Sequence, residues 1–124
     1  MNNKGFSFRK RILGFKCAFR GIRLLLRYEH NAWLHCIIGV CVIVAGFLLD
    51  ISSTEWIAIT IVCGGVFAAE AFNTAVERLA DVVCPEYNNA IKDIKDISAG
   101  GVLFMAIAAA ITGLIIFLPK MLFN

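Results

Sequence analysis

The first 28 residues contain no acid. Eight of the chain's twelve lysines and arginines fall there, so a net charge of +3 conceals a strongly basic N-terminal segment. A basic, apolar stretch of this kind suits an anionic membrane surface. It also lacks a clean apolar core and a small-residue cleavage site. Phe6, Phe8, Ile12, Leu13 and Phe15 interrupt its cations, which argues against a cleaved signal peptide. Cys-x-x-Cys is absent, and the cysteines (Cys17, Cys36, Cys41, Cys63 and Cys84) are odd in number. Three of them lie inside apolar runs, where a free thiol behaves as a small hydrophobe, so neither a disulfide framework nor a zinc site is expected. Neither Gly-x-x-x-x-Gly-Lys-Ser/Thr nor Gly-x-Gly-x-x-Gly occurs. Any nucleotide chemistry here is therefore built on neither a P-loop nor a protein-kinase fold. Gly64-Gly65 and Gly100-Gly101 sit within apolar runs and read as packing sites. The chain has no internal repeat and no low-complexity linker.

What the chain does have is apolar length. Sixty per cent of its 124 residues are hydrophobic and the mean hydropathy is +0.79. Soluble domains use roughly 45–50% apolar residues, so an integral membrane protein is the better class. The length fits one membrane-embedded domain over 1–124. Residues 6–28 read as an amphipathic helix, with Arg9, Lys16, Arg20, Arg23 and Arg27 recurring between Phe8, Ile12, Phe15, Phe19 and Ile22. Its cations either snorkel from a surface anchor or bind phosphate directly. Three spans follow, over about 32–49, 54–83 and 97–118. Trp33 marks an interface, the Ser/Thr run before Glu55 starts the second span, and Cys84-Pro85 ends it. Residues 85–96 read as a polar connection, and Pro119-Lys120 bounds the third span. The expected fold is therefore an all-α integral membrane protein, with an N-terminal amphipathic surface helix and three transmembrane helices. The 50–55 loop holds no lysine or arginine, whereas the 78–96 segment holds Arg78, Lys92 and Lys95. The N-terminal helix and the 78–96 segment are therefore expected on the cytoplasmic side.

Glu70, Asn73, Glu77 and Asp81 follow one another at spacings of three, four and four. At about 100° per residue they share one helical stripe roughly 80° wide. The stripe begins directly after an apolar run. Carboxylates at the edge of lipid are costly unless a metal ion, a phosphate-bearing substrate or a partner helix compensates them. The stripe is thus either functional or an interhelical polar clasp.

Phosphoryl transfer needs magnesium on the nucleotide, cations for the remaining charge, and a group to take the acceptor's proton. Magnesium uses one or two hard carboxylates plus phosphates and water, and Glu29 and Glu77 are candidates near the cytoplasmic ends of their spans. Lys95 offers positive charge. Glu70 lies about 10 Å up the helix from Glu77, at the depth of a hydroxyl held at the lipid interface. Bland alternatives stand beside these readings. Glu29 could cap the first span, Glu77 could pair with Arg78 or Arg23, and Lys95-Asp96 could be an ordinary helix start. His30 and His35 are five apart and not on one helical face, so a metal pair is not expected.

The run Glu70-Ala71-Phe72-Asn73-Thr74-Ala75-Val76-Glu77, then Asp81, then Lys95-Asp96-Ile97-Ser98-Ala99-Gly100, resembles the signature of the prokaryotic diacylglycerol kinase family. The resemblance runs from the basic N-terminal helix to Phe117-Leu118-Pro119-Lys120. It implies an ATP- and Mg²⁺-dependent lipid kinase with three spans and a surface helix per chain. It also implies a homotrimer with sites between neighbouring chains, and no nucleic-acid partner. By position, Glu70 corresponds to the catalytic base and Asn73 and Asp81 to supporting members of the site. Glu29 and Glu77 correspond to the magnesium-holding carboxylates, and Glu86, Tyr87, Lys95 and Asp96 to nucleotide contacts. Lys10 stands where diacylglycerol enzymes of Gram-negative bacteria have arginine, which replaces a planar fork by a point charge. Cys17 stands where they have tyrosine. The family has one branch that phosphorylates diacylglycerol and one that phosphorylates undecaprenol. Glu29-His30-Asn31-Ala32-Trp33-Leu34-His35, Glu55-Trp56-Ile57 and the ending Gly113–Lys120 are closer to the undecaprenol branch. From another class altogether, the same stripe could line a cation path in a small oligomeric membrane protein, or clasp a partner helix in a non-catalytic subunit.

Overall fold

A computed structural model describes residues 5–123; Lys4, one of the N-terminal cations, lies outside them. Four helices follow in order: α1 (Phe8–Tyr28), α2 (His30–Leu48), α3 (Ser53–Val83) and α4 (Asn89–Phe123), with no strand among the described residues. The all-α expectation holds. α2, α3 and α4 are each long and apolar enough to cross a membrane. At about 1.5 Å per residue, the 19 residues of α2 reach close to the thickness of a hydrocarbon core.

The helix ends follow from local chemistry. Ser7 starts α1, its hydroxyl accepting the Lys10 amide at 3.5 Å. At Glu29 the backbone becomes extended, and the chain passes directly from α1 into α2. Trp33 braces that corner by donating its indole N–H to the Leu26 carbonyl at 2.5 Å. The α2–α3 turn is closed by the Ile51 amide on the Gly46 carbonyl at 3.1 Å and carries Asp50 at φ 49°. A left-handed conformation of this kind is one that Asp tolerates better than most residues. Ser52 and Glu55 then form a reciprocal capping box at the start of α3. α3 stops before Cys84-Pro85, as expected.

Two boundaries differ from the sequence expectation. The polar connection is shorter than 85–96, because the Asn88 side chain accepts the amides of Ala90 at 2.8 Å and Ile91 at 3.2 Å and starts α4 at Asn89. Lys95 and Asp96 therefore stand in the second turn of α4 rather than at its start. At the other end, α4 continues through Pro119 to Phe123. A proline removes one backbone bond and crowds the carbonyl four residues back. Here tertiary contacts offset that cost: Ile116 packs with Ile51 and Ile59, and Lys120 meets Glu55 at 3.4 Å.

The Lys120–Glu55 pair sets the C-terminal end of α4 beside the N-terminal end of α3, and Lys95–Asp81 does the reverse at the opposite end. The two helices therefore run antiparallel, and theirs is the most extensive contact in the molecule. The core is a small cluster of Ile51, Ile59 and Ile116, joined by Val42, Trp56 and Phe117. Gly46 leaves room on α2 for the Trp56 ring of α3, since a Cβ there would lie 2.6 Å from it. Most large apolar side chains face outward, among them Phe47, Phe72, Ile97 and Phe104. That arrangement suits a lipid solvent, where interior and exterior are equally apolar.

Candidate active site

The four stripe residues grade from buried to exposed along α3. Glu70 is 2% exposed and Asn73 is 8% exposed. Glu77 is half-buried and the Asp81 side chain is open. The gradient runs from the apolar middle of the bundle toward its polar end, the end that carries Lys95, Arg78 and the α1–α2 corner.

Each member has a different neighbour. Glu70 meets α2: its Oε1 lies 2.9 Å from His35 Nε2. A carboxylate in this position needs such a partner, because burying it alone is far costlier than burying a hydrogen-bonded one. The His35 ring is also packed edge-on against Phe67, with centroids 6.4 Å apart. One turn on, Asn73 Nδ2 donates to Glu77 Oε1 at 3.5 Å, while Asn73 Oδ1 is buried with no hydrogen-bond partner. Asp81 reaches α4 and accepts from Lys95 Nζ at 2.6 Å. Lys95 lies on the polar turn ahead of the apolar stretch of α4. Its hydrogen bond to Asp81 holds its ammonium above the ordinary lysine range, helped by the charge of Glu77.

Glu29 plays two parts. It is the residue before α2, with Oε1 accepting the Asn31 amide at 3.4 Å, as the capping alternative anticipates. Its other oxygen, Oε2, accepts from the Thr74 hydroxyl on α3 at 3.4 Å. The fold thereby brings Glu29 beside the stripe from 45 residues away in sequence. Neither Arg78 nor Arg23 pairs with Glu77 among the described residues. The Arg78 guanidinium instead lies over the Tyr28 ring, 4.5 Å from its centroid, and ties α3 to the end of α1.

The remaining candidates stay apart from the stripe. Asp96 accepts from Lys92 one turn earlier at 2.7 Å. Glu86 and Tyr87 are exposed in the short α3–α4 connection, and Lys10 and Cys17 are exposed on α1. Among the described residues no hydrogen bond or ion pair joins the side chains of Lys10, Cys17, Glu86 or Tyr87 to the stripe. Sequence reasoning leaves Thr74 and His35 without roles. A titratable side chain inside an otherwise apolar span is the signal that points to His35, since such a group faces a polar partner by default.

The sequence model of the prokaryotic diacylglycerol kinase family matches residues 16–117, which take in the stripe, Glu29, His35 and Lys95. The chain belongs to the prokaryotic diacylglycerol kinase family. It is a lipid kinase and a multi-pass membrane protein. It is 38% identical over 107 residues to the undecaprenol kinase of Bacillus subtilis, covering 86% of this chain and 87% of that protein. It is 33% identical over 112 residues to a diacylglycerol kinase of a Synechocystis species, covering 90% of this chain and 64% of that longer protein. Within this lipid kinase, the oxygen donors suit a hard cation. Glu77 and the orphaned Asn73 Oδ1 lie one turn apart on α3, Glu29 reaches the same helix from the α1–α2 corner through Thr74, and magnesium takes oxygen ligands of this kind.

Proposed function

We propose that this kinase transfers the γ-phosphoryl group of ATP to the hydroxyl of a membrane lipid alcohol, with undecaprenol as the main acceptor and diacylglycerol as the second. The observation that carries this reading is the buried Glu70, held by His35 at the deep end of a polar stripe that opens at Lys95. The fuller match to the undecaprenol kinase supports the choice of acceptor.

In this reading the lipid tail stays in the bilayer and its hydroxyl lies against Glu70. Glu70 accepts the hydroxyl proton as the oxygen attacks the γ-phosphorus, and ADP leaves. A site closed to bulk water favours such a transfer, since the carboxylate is not already satisfied by solvent. Asn73 orients Glu77 through their hydrogen bond, and Asp81 holds Lys95 toward the incoming phosphates. Asp96, Glu86, Tyr87, Lys10 and Cys17 form the nucleotide side of the site. Glu29 and Glu77 would hold Mg²⁺, which when bound offsets the negative charge of the phosphates. The whole chain acts as one membrane-embedded domain. It assembles as a homotrimer in the inner membrane, with the N-terminus and the site on the cytoplasmic side. The bias of lysine and arginine toward α1 and the 78–96 segment supports that orientation.

The test is a side-by-side assay in lipid nanodiscs with γ-labelled ATP and either acceptor. Undecaprenol is expected to give the larger yield of monophosphate. A larger yield from diacylglycerol would overturn the choice of acceptor, and no labelled lipid from either would overturn the proposal.

A further inference from the structure

An apolar cavity of about 330 Å³ opens between α2, α3 and α4. It is roughly twice the size that takes up a benzene ring in a protein core. Ala106, Ala109, Ala110 and Gly113 line it from α4, and their small side chains leave the space empty. Among the lining residues only His35 and Cys63 carry a polar side-chain atom. His35 is also the residue whose Nε2 lies 2.9 Å from Glu70 Oε1. The imidazole therefore stands between the cavity and the buried carboxylate, 20% exposed on one side of a contact whose other side is 2% exposed.

The pair has one further property. Oε1 of Glu70 carries the bond to His35, and Oε2 carries no hydrogen bond among the described residues. The ring itself is clamped edge-on by Phe67. A carboxylate pinned through one oxygen by an immobilised partner keeps its second oxygen in a fixed direction. That is the preorganisation a proton acceptor needs, because a misplacement of about 1 Å can cost about a hundredfold in rate.

We propose that His35, which lines the cavity between α2, α3 and α4, is a positioning residue for the kinase reaction: it fixes the neighbouring Glu70, and that cavity takes the hydrocarbon next to the acceptor's hydroxyl. This rests on the reading of Glu70 as the proton acceptor. His35 makes no bond to the reacting atoms. Its Nε2 donates to Oε1 and leaves Oε2 to receive the proton. The cavity's lining, apolar but for His35 and the thiol of Cys63, suits a hydrocarbon chain that carries no polar group beyond its terminal hydroxyl.

The experiment uses the full chain in nanodiscs, with kcat and KM measured separately for ATP and for undecaprenol. His35→Leu removes the donor and keeps bulk, whereas His35→Gln keeps an N–H of similar reach. His35→Leu is expected to lower kcat by about tenfold to a hundredfold while KM for ATP stays within about twofold. His35→Gln is expected to recover at least about a third of the wild-type kcat, since its amide can still hold Oε1. Ala109→Phe, which fills the cavity, is expected to raise KM for undecaprenol without moving KM for ATP. The inference is overturned if His35→Leu keeps half or more of the wild-type kcat. It is also overturned if both His35 variants lose kcat together with melting temperature, which is the mark of a purely structural contact, or if Ala109→Phe leaves KM for undecaprenol unchanged. A second measurement does not depend on turnover: the His35 ¹⁵Nε2 resonance is expected to move in Glu70→Ala, and an unmoved resonance overturns the pairing. Failure of these arms leaves the kinase reading standing, because Glu70→Gln tests that reading by itself.

Discussion

Replacing Glu70 by glutamine changes the proposed proton acceptor and little else. The side chain is 2% exposed and makes a single described hydrogen bond, with His35 Nε2 at 2.9 Å. A glutamine of the same length can still accept that bond through its Oε1, so the α2–α3 contact and the packing around Phe67 persist. What is lost is the basicity of the carboxylate. A positioned general base contributes about 10²- to 10⁴-fold, or about 3–5 kcal/mol of barrier at about 1.4 kcal/mol per decade. The loss falls on kcat, because Glu70 lies about 10 Å from Glu77 along α3 and is remote from the nucleotide side. The assay is transfer of labelled γ-phosphate to undecaprenol in nanodiscs, with nucleotide affinity measured independently by titration. A variant that keeps nucleotide affinity and melting temperature but loses at least about a hundredfold in kcat bears the reasoning out. Turnover within about threefold of wild type would refute the proton-acceptor role, since a neutral amide cannot serve as a base of comparable strength.

Glu29→Gln and Glu77→Gln should each raise the Mg²⁺ concentration needed for half-maximal activity by at least about tenfold, read from a metal titration at saturating ATP, because each removes one hard anionic ligand. Asp81→Asn should bring the Lys95 titration down toward the ordinary lysine range, measured by ¹⁵Nζ chemical shift against pH, because the bond to Asp81 is the main cause of the upward shift. The sign follows from linkage: a raised pKa in the folded protein contributes stability below the unfolded value, and that contribution is lost as pH rises through the folded one. Gly46→Leu should destabilise the fold by about 1–3 kcal/mol in a detergent melt, because a Cβ at that position already lies 2.6 Å from the Trp56 ring.

Much of the fold is legible residue by residue. The apolar runs give the three long helices, the Ser52–Glu55 pair gives the start of α3, and Cys84-Pro85 gives its end. Each of these depends on local bonding and on the period of one helix. The two ends of α4 are less legible for the same reason. The Asn88 cap competes with a polar stretch that reads as loop, and Pro119 stands in a last stretch of α4 whose Ile116 and Lys120 meet residues of distant segments.

The candidate site divides along the same line. Spacings of three, four and four were enough to place Glu70, Asn73, Glu77 and Asp81 on one stripe, since a helix has one pitch. They were not enough to say which member is buried, because burial depends on what lies opposite. Only the packing of α2 on α3 put His35 against Glu70 and Glu29 against Thr74, and only the antiparallel course of α4 put Lys95 on Asp81. Those pairs join residues 35, 45 and 14 positions apart, and no periodicity within a single helix encodes the distance between two of them.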